Sequence, residues 1–195
     1  MIKVIGARAS RAFRGLWLLE ELGVAYEHIP AKPRSPEVIA LTGAGKVPAL
    51  EVEGQIITDS TAIMSYLADA HGGLTAQAGT ISRARQDAVL HLLLDEMDSV
   101  LWAAARHSFV LPEDRRVPEV KPAMIADYAA SLPRIEAALE GPFLMGEEMT
   151  VPDILLTHCL GWAERAKFPE APQALQDYRA RMEAREAFAR AMARE

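Results

Sequence analysis

Two short stretches of this chain combine residue types that can bind a charged small molecule. The first is "GKVPALEVEG", where Pro48 stands inside a run that otherwise reads as a strand. Proline removes a ladder donor, so it is confined to edges, first positions and bulges. The second is Asp59-Ser60, an acid and a hydroxyl opening a helix eleven residues on. A helix N-terminus carries unpaired amides and about half a positive charge, so it attracts a carboxylate. Ser60 adds a hydroxyl donor, and Asp59 can accept from an ammonium. Together they suit an amino-acid zwitterion, although either residue could equally be a plain N-cap. Lys46, next to Val47, is a further cation that could reach a carboxylate or simply stand in solvent.

Other chemistry-bearing residues are less promising. His28, His71, His91, His107 and His158 are scattered, and no Cys/His set has metal-ligand spacing, so no metal is expected. The single cysteine, Cys159, excludes an internal disulfide, fits a reducing compartment and reads as an inert buried thiol. Asp95, Glu96 and Asp98 invite a paired-carboxylate reading, since Asp95 and Asp98 share a helix face at i, i+3, but a solvated face is the simpler expectation.

The elements that must position these residues fall into two groups. The first part reads β-α-β-α-β-β-α: a strand over 2–6, a helix over 10–23, a strand over 25–29, a short helix over 35–43, a hairpin turning at Glu53-Gly54, and a helix over 59–73. Ser10 is placed to cap the first helix and Gly23 to end it. A β-α-β start implies a parallel pair with a right-handed crossover, and the hairpin adds antiparallel edges. The second part has no strand signal. A helix is expected over 81–110 and another over 118–141, with Gly141 as its stop and Pro133 predicting a kink or a displaced boundary. Thr150 and Asp153 have capping-box spacing before a helix expected to be buried, with Met149 and Ile154 at staple positions. Residues 172–195 read as one or two amphipathic helices. The expected division is a first domain over 1–75, a linker over 76–82 and a helical domain over 83–195.

Bulk properties set bounds. The 195 residues are half hydrophobic and a quarter charged, enough to bury a core. The net charge of -6 and the lack of a basic stripe argue against nucleic acid. No apolar run approaches the ~18 residues of a membrane span, and no export signal opens the chain.

A β-α-β-α-β-β-α unit with "VP" before its third strand is similar to the thioredoxin fold. That likeness implies a cis bond before Pro48, which turns the N–H and C=O of Val47 outward to pair with an extended peptide. Over nearly its whole length the chain further resembles the cytosolic glutathione transferases, in particular bacterial and serine-type members. The resemblance is carried by "SRAFRGLWLLEELGVAYEHI", "LTGAGKVPALEVEGQIITDSTAIMSYLADAHG", "TVPD" and "YRARMEAREAFARAMA". It implies a thioredoxin-like domain followed by an all-helical one, a homodimer, a cytoplasmic location, glutathione as co-substrate with no other cofactor, and conjugation of its sulfur to hydrophobic electrophiles. By the same resemblance Val47 beside Pro48 clamps the glutathione backbone, Asp59 and Ser60 hold the γ-glutamyl end, and Lys46 reaches the glycyl carboxylate. Phe13, Trp102, Phe109 and Trp162 are candidates for an electrophile pocket. The family usually has asparagine-proline at Thr42-Gly43 and glutamate at Asp59; neither departure removes a group the chemistry needs.

The implied reaction requires a thiolate. A free thiol titrates near ~8.5, so about 3% is ionised at pH 7. Lowering that pKa by ~2 units takes ~2.7 kcal/mol. One hydroxyl bonded to the anion supplies ~1.5–3 kcal/mol, and a helix N-terminus adds ~0.3–1. The resemblance places this hydroxyl at the turn before the first helix, where Ser10 stands, with Ala9 as the neighbouring alternative. "ASRA" there lacks the cysteine pair of disulfide exchange. A non-catalytic carrier or interaction protein on the same fold, or a glutathione-dependent peroxidase or isomerase, are the alternatives.

Overall fold

The computed structural model describes residues 1–194. Its order is β1 (Lys3–Ile5), α1 (Ala12–Leu22), β2 (Glu27–Ile29), α2 (Pro36–Thr42), β3 (Ala49–Val52), β4 (Gln55–Thr58), α3 (Ser60–His71), α4 (Ile81–Leu93), α5 (Ser99–Ala105), α6 (Val120–Ala137), α7 (Val151–Arg165), α8 (Gln173–Glu183) and α9 (Glu186–Met192). The chain divides into two units, one of Met1–Ala78 together with the segment from Met182 onward, the other Gly79–Arg181.

The first unit holds a four-stranded mixed sheet in the order β2-β1-β3-β4. β1 pairs with β2 in parallel and with β3 antiparallel, and β3 with β4 antiparallel. This is the thioredoxin-like arrangement expected from the element order. Glu53 and Gly54 both take positive φ, 51° and 74°, as a two-residue hairpin turn of matching twist requires. Every residue of α1 from Ala12 to Glu20 is buried, with Leu16, Trp17, Leu18 and Leu19 wholly inaccessible. Gly23 ends α1 in the left-handed conformation.

The first unit is not contiguous in sequence. The helical region was expected to run to residue 195, yet α9 belongs with the strands. The cause is a set of contacts on α1. Phe188 packs edge-on to Phe13 and Trp17, at 5.2 and 5.0 Å between centroids. Arg185 makes a two-pronged ion pair with Glu21, at 2.6 and 2.8 Å. Glu20 accepts from Tyr26 (2.8 Å), Arg190 (3.0 Å) and Arg194 (2.7 Å). Burial pushes the Glu20 carboxyl up, but the hydrogen bonds from Arg194, Tyr26 and Arg190 outweigh it and hold it below the ordinary value. A carboxyl depressed in this way adds stability that is present above its unfolded pKa and fades as pH falls through the folded one. Glu20→Gln is therefore expected to lose about 2 kcal/mol at pH 7 and to flatten the acid limb of the stability curve below pH ~4.5, read by urea unfolding at several pH values.

The second unit is helical throughout its regular elements. The stretch expected as one helix over 81–110 follows a helical path but contains two π-helical turns, at Leu94–Asp98 and Arg106–Val110. A π turn inserts an extra residue and rotates the faces that follow. Asp95 and Asp98 consequently do not share a solvated face: Asp95 is exposed, while Asp98 is buried beside the buried Cys159, whose sulfur lies 4.0 Å from its carboxylate. Glu96 pairs with Arg134 instead. α6 runs through Pro133 and stops at Ala137. Gly141 is not its stop; it allows close approach, since a Cβ there would lie 2.9 Å from the Gly146 carbonyl oxygen. α7 is the buried helix expected from its N-terminal signature. Asp153 accepts from the Thr150 amide (2.7 Å) and hydroxyl (3.0 Å), the Leu144 amide (2.9 Å) and the Tyr178 hydroxyl (2.7 Å). Among the described residues no helix is long and apolar enough to cross a membrane.

Candidate active site

The turn after β1 is built on Gly6, whose φ is 139°. A Cβ at Gly6 would sit 2.9 Å from the Cβ of Ala12 and 3.0 Å from that of Val47. The absence of a side chain thus lets the Val47 turn and the first residue of α1 converge on one point. Ser10 lies in this turn, half-buried. Its hydroxyl donates to the Ala7 carbonyl at 2.6 Å and accepts the Ala12 amide at 3.1 Å. Ser10 therefore closes a local serine turn one residue before the N-cap position, which Arg11 occupies.

The Val47–Pro48 peptide is cis. Pro48 is buried, Val47 half-buried and Lys46 exposed. Among the described residues, neither the N–H nor the C=O of Val47 has a hydrogen-bond partner. The loop before it is fixed by Thr42, whose hydroxyl donates to the Val38 carbonyl (2.8 Å) and accepts the Gly45 amide (3.0 Å). Thr42 thereby supports the turn with its own side chain.

At the start of α3, Asp59 takes φ 73° and ψ 128°, a region few non-glycine residues enter. Its Oδ1 accepts the amides of Thr61 (2.9 Å) and Ala62 (3.1 Å) and the Thr61 hydroxyl. Its Oδ2 has no partner among the described residues, and the residue is exposed. Capping thus occupies one oxygen of the carboxylate and leaves the other able to accept a further donor. Burial pushes the Asp59 carboxyl up, but the Thr61 and Ala62 hydrogen bonds and the charge of Arg14 outweigh it and keep it ionised at neutral pH. Ser60 is only 3% exposed and accepts from the Arg14 guanidinium at 3.0 Å.

The sequence reading does not single out Arg14, which the structure places against Ser60. Arg14 is wholly buried on α1, four residues along from Ser10, beneath the start of α3. The signal lay in "AFRGLWLL": one cation inside an apolar run must find a polar partner if the helix is buried on every side. Through it, α1 reaches Ser60, as through Gly6 and Ala12 it meets Val47.

The aromatic candidates divide. Phe13 belongs to the core of the first unit, 5% exposed against Trp17 and Phe188. In the second unit Trp102 is half-buried, Trp162 is half-buried beside His158, and Phe109 is 69% exposed within a π turn. Among the described residues no group of three or more His, Cys, Asp or Glu could hold a metal ion.

Comparisons with known proteins bear on the family and the fold. The family model described as "Glutathione S-transferase, N-terminal domain" matches residues 4–75, and "Glutathione S-transferase, C-terminal domain" matches residues 100–186. A solved glutathione transferase of Methylococcus capsulatus is 26% identical with a TM-score of 0.83, covering 98% of this chain and 97% of its own. A theta class enzyme of Xanthomonas axonopodis pv. citri, solved with glutathione bound, is 28% identical with a TM-score of 0.79, covering 100% and 98%. A curated maleylacetoacetate isomerase of Rhizobium meliloti is 38% identical over 71 residues, 34% of this chain; the match spans about a third of that relative, 33%. With both domain models matched in order on the two-part fold described above, the chain belongs to the glutathione S-transferase family.

Proposed function

We propose that this chain binds glutathione and ionises its thiol for attack on hydrophobic electrophiles. The observation that carries the reading is a set of groups near α1 with bonding capacity to spare: the Val47 amide and carbonyl, the second carboxylate oxygen of Asp59, and the hydroxyl proton of Ser60, whose oxygen accepts from Arg14. They suit, respectively, the backbone of an extended tripeptide, its ammonium and its α-carboxylate. Lys46, exposed beside Val47, is the cation for the glycyl carboxylate.

Ser10 is the thiol's activating donor in this reading. Its proton rests on the Ala7 carbonyl, so donation to sulfur requires the hydroxyl to turn from that oxygen. The thiol proton passes to solvent. The sulfur lone pair then forms the new C–S bond, and with a halo-nitroarene the halide departs with its bonding electrons. Half-buried Trp102 and Trp162 and exposed Phe109 each have aromatic surface that an apolar electrophile can meet. A homodimer and a cytoplasmic location belong to the same proposal.

The test is retention on immobilised glutathione followed by conjugation of a halo-nitroarene. Wild type is expected to be retained and active. Ser10→Ala is expected to be retained but about 30-fold slower at pH 7, with its pH–rate profile moved toward the ordinary thiol value near ~8.5. Turnover unchanged by the substitution would remove Ser10 from the mechanism. Retention with no turnover in wild type would favour a carrier. The similarity to a maleylacetoacetate isomerase supports a second reading, in which the thiolate adds reversibly to a cis-alkene and leaves again without being consumed. Isomerisation of a cis-enedione acid, faster than arene conjugation, would favour it.

A further inference from the structure

We infer that Arg14 is a positioning residue that fixes the direction of the Ser60 hydroxyl and thereby sets selectivity for a ligand bearing an α-carboxylate. This rests on the reading of Asp59 and Ser60 as the γ-glutamyl site.

The argument begins with donor and acceptor inventory. A guanidinium only donates, so at 3.0 Å from Arg14 the Ser60 oxygen is the acceptor. The Ser60 proton is thereby directed away from Arg14, and among the described residues it meets no acceptor. A serine in the first turn of a helix would otherwise be able to turn its proton toward a nearby carbonyl. Arg14 holds the hydroxyl in the one role useful to an anion, that of donor.

Charge acts in the same direction. Arg14 is wholly buried, so its field reaches the start of α3 with little screening by water. It adds to the partial positive charge of the twelve-residue helix α3. Asp59 already registers that field, since Arg14 contributes to holding its carboxyl ionised. The neighbouring Asp59 would repel a ligand carboxylate; the buried cation beneath Ser60 counters that repulsion on the side where the carboxylate must sit. Arg14 touches no reacting atom in this account.

The experiment compares glutathione with 4-aminobutyryl-cysteinyl-glycine, which lacks only the α-carboxylate, by calorimetric titration of the whole chain. Wild type is expected to bind glutathione at least tenfold more tightly than the analogue. Arg14→Met is expected to weaken glutathione about tenfold while moving the analogue less than twofold, as loss of one charge-assisted arrangement predicts. Arg14→Lys is expected to restore part of the difference. Ser60→Ala, which deletes a single oxygen, keeps the test available if Arg14→Met does not fold, and should also weaken glutathione about tenfold and spare the analogue. Equal losses for both ligands, or no loss in the folded variants, overturn the inference while leaving glutathione binding intact. A wild-type chain that binds neither ligand overturns the glutathione reading and this inference with it.

Discussion

Asp153→Ala is expected to destabilise the helical unit by about 3–5 kcal/mol, the range for leaving buried polar groups without their charged partner. The side chain is wholly inaccessible and receives four donors from three residues. Two come from Thr150, one from the loop amide of Leu144, and one from Tyr178 on α8. Alanine strands all four donors in a site too enclosed for water to replace the carboxylate. Asparagine is a sharper probe, because its shape is conserved. Its oxygen can serve two of the donors, but its NH2 must face the other two, so about 2–3 kcal/mol should still be lost. Urea unfolding followed by far-ultraviolet circular dichroism measures both. A loss below about 1 kcal/mol for alanine would mean that the carboxylate does not organise this unit.

Gly6→Ala should damage fold and site together. The new methyl would lie 2.9 Å from the Ala12 Cβ and 3.0 Å from the Val47 Cβ, on a backbone with φ 139° that side chains rarely adopt. Neither neighbour is the flexible end of a long side chain, so α1 or the Val47 turn must move. Strain and overpacking together cost about 2–4 kcal/mol. Because Ser10 adjoins the start of α1 and Val47 lies in the turn itself, retention on immobilised glutathione should fall as well. Gly23→Ala is the control: its φ is 65°, but a Cβ there meets nothing within 4 Å. It should lose only about 1 kcal/mol and keep its binding. Equal behaviour of the two variants would show that close approach at Gly6 does not hold the site.

Much of the fold was legible because local rules were strong. Gly23, the Glu53-Gly54 turn and the Thr150–Asp153 spacing each act within a few residues, and each is found where the pattern placed it. Val47-Pro48 and Asp59-Ser60 were legible because a proline beside a strand and an acid–hydroxyl pair at a helix start are conspicuous in sequence. Arg14 was not, because its meaning comes from a residue 46 positions away. The π turns were hidden for a different reason. Periodicity shows apolar spacing, but one inserted residue shifts its phase without removing it, and Asp98 was assigned to the wrong face. Nothing near Glu20 and Glu21 in the sequence names their partners. Only the return of α9 shows that their partners are arginines from the far end of the sequence.

That return has a consequence for how the protein is made. During synthesis the strands and α1 leave the ribosome long before Arg185, Phe188 and Arg190, with the whole helical unit in between. Until α9 emerges, Trp17 lacks its edge-on aromatic neighbour and two glutamates on α1 lack their counter-ions. The nascent amino-terminal half is therefore expected to complete its packing only once the last helix has been translated.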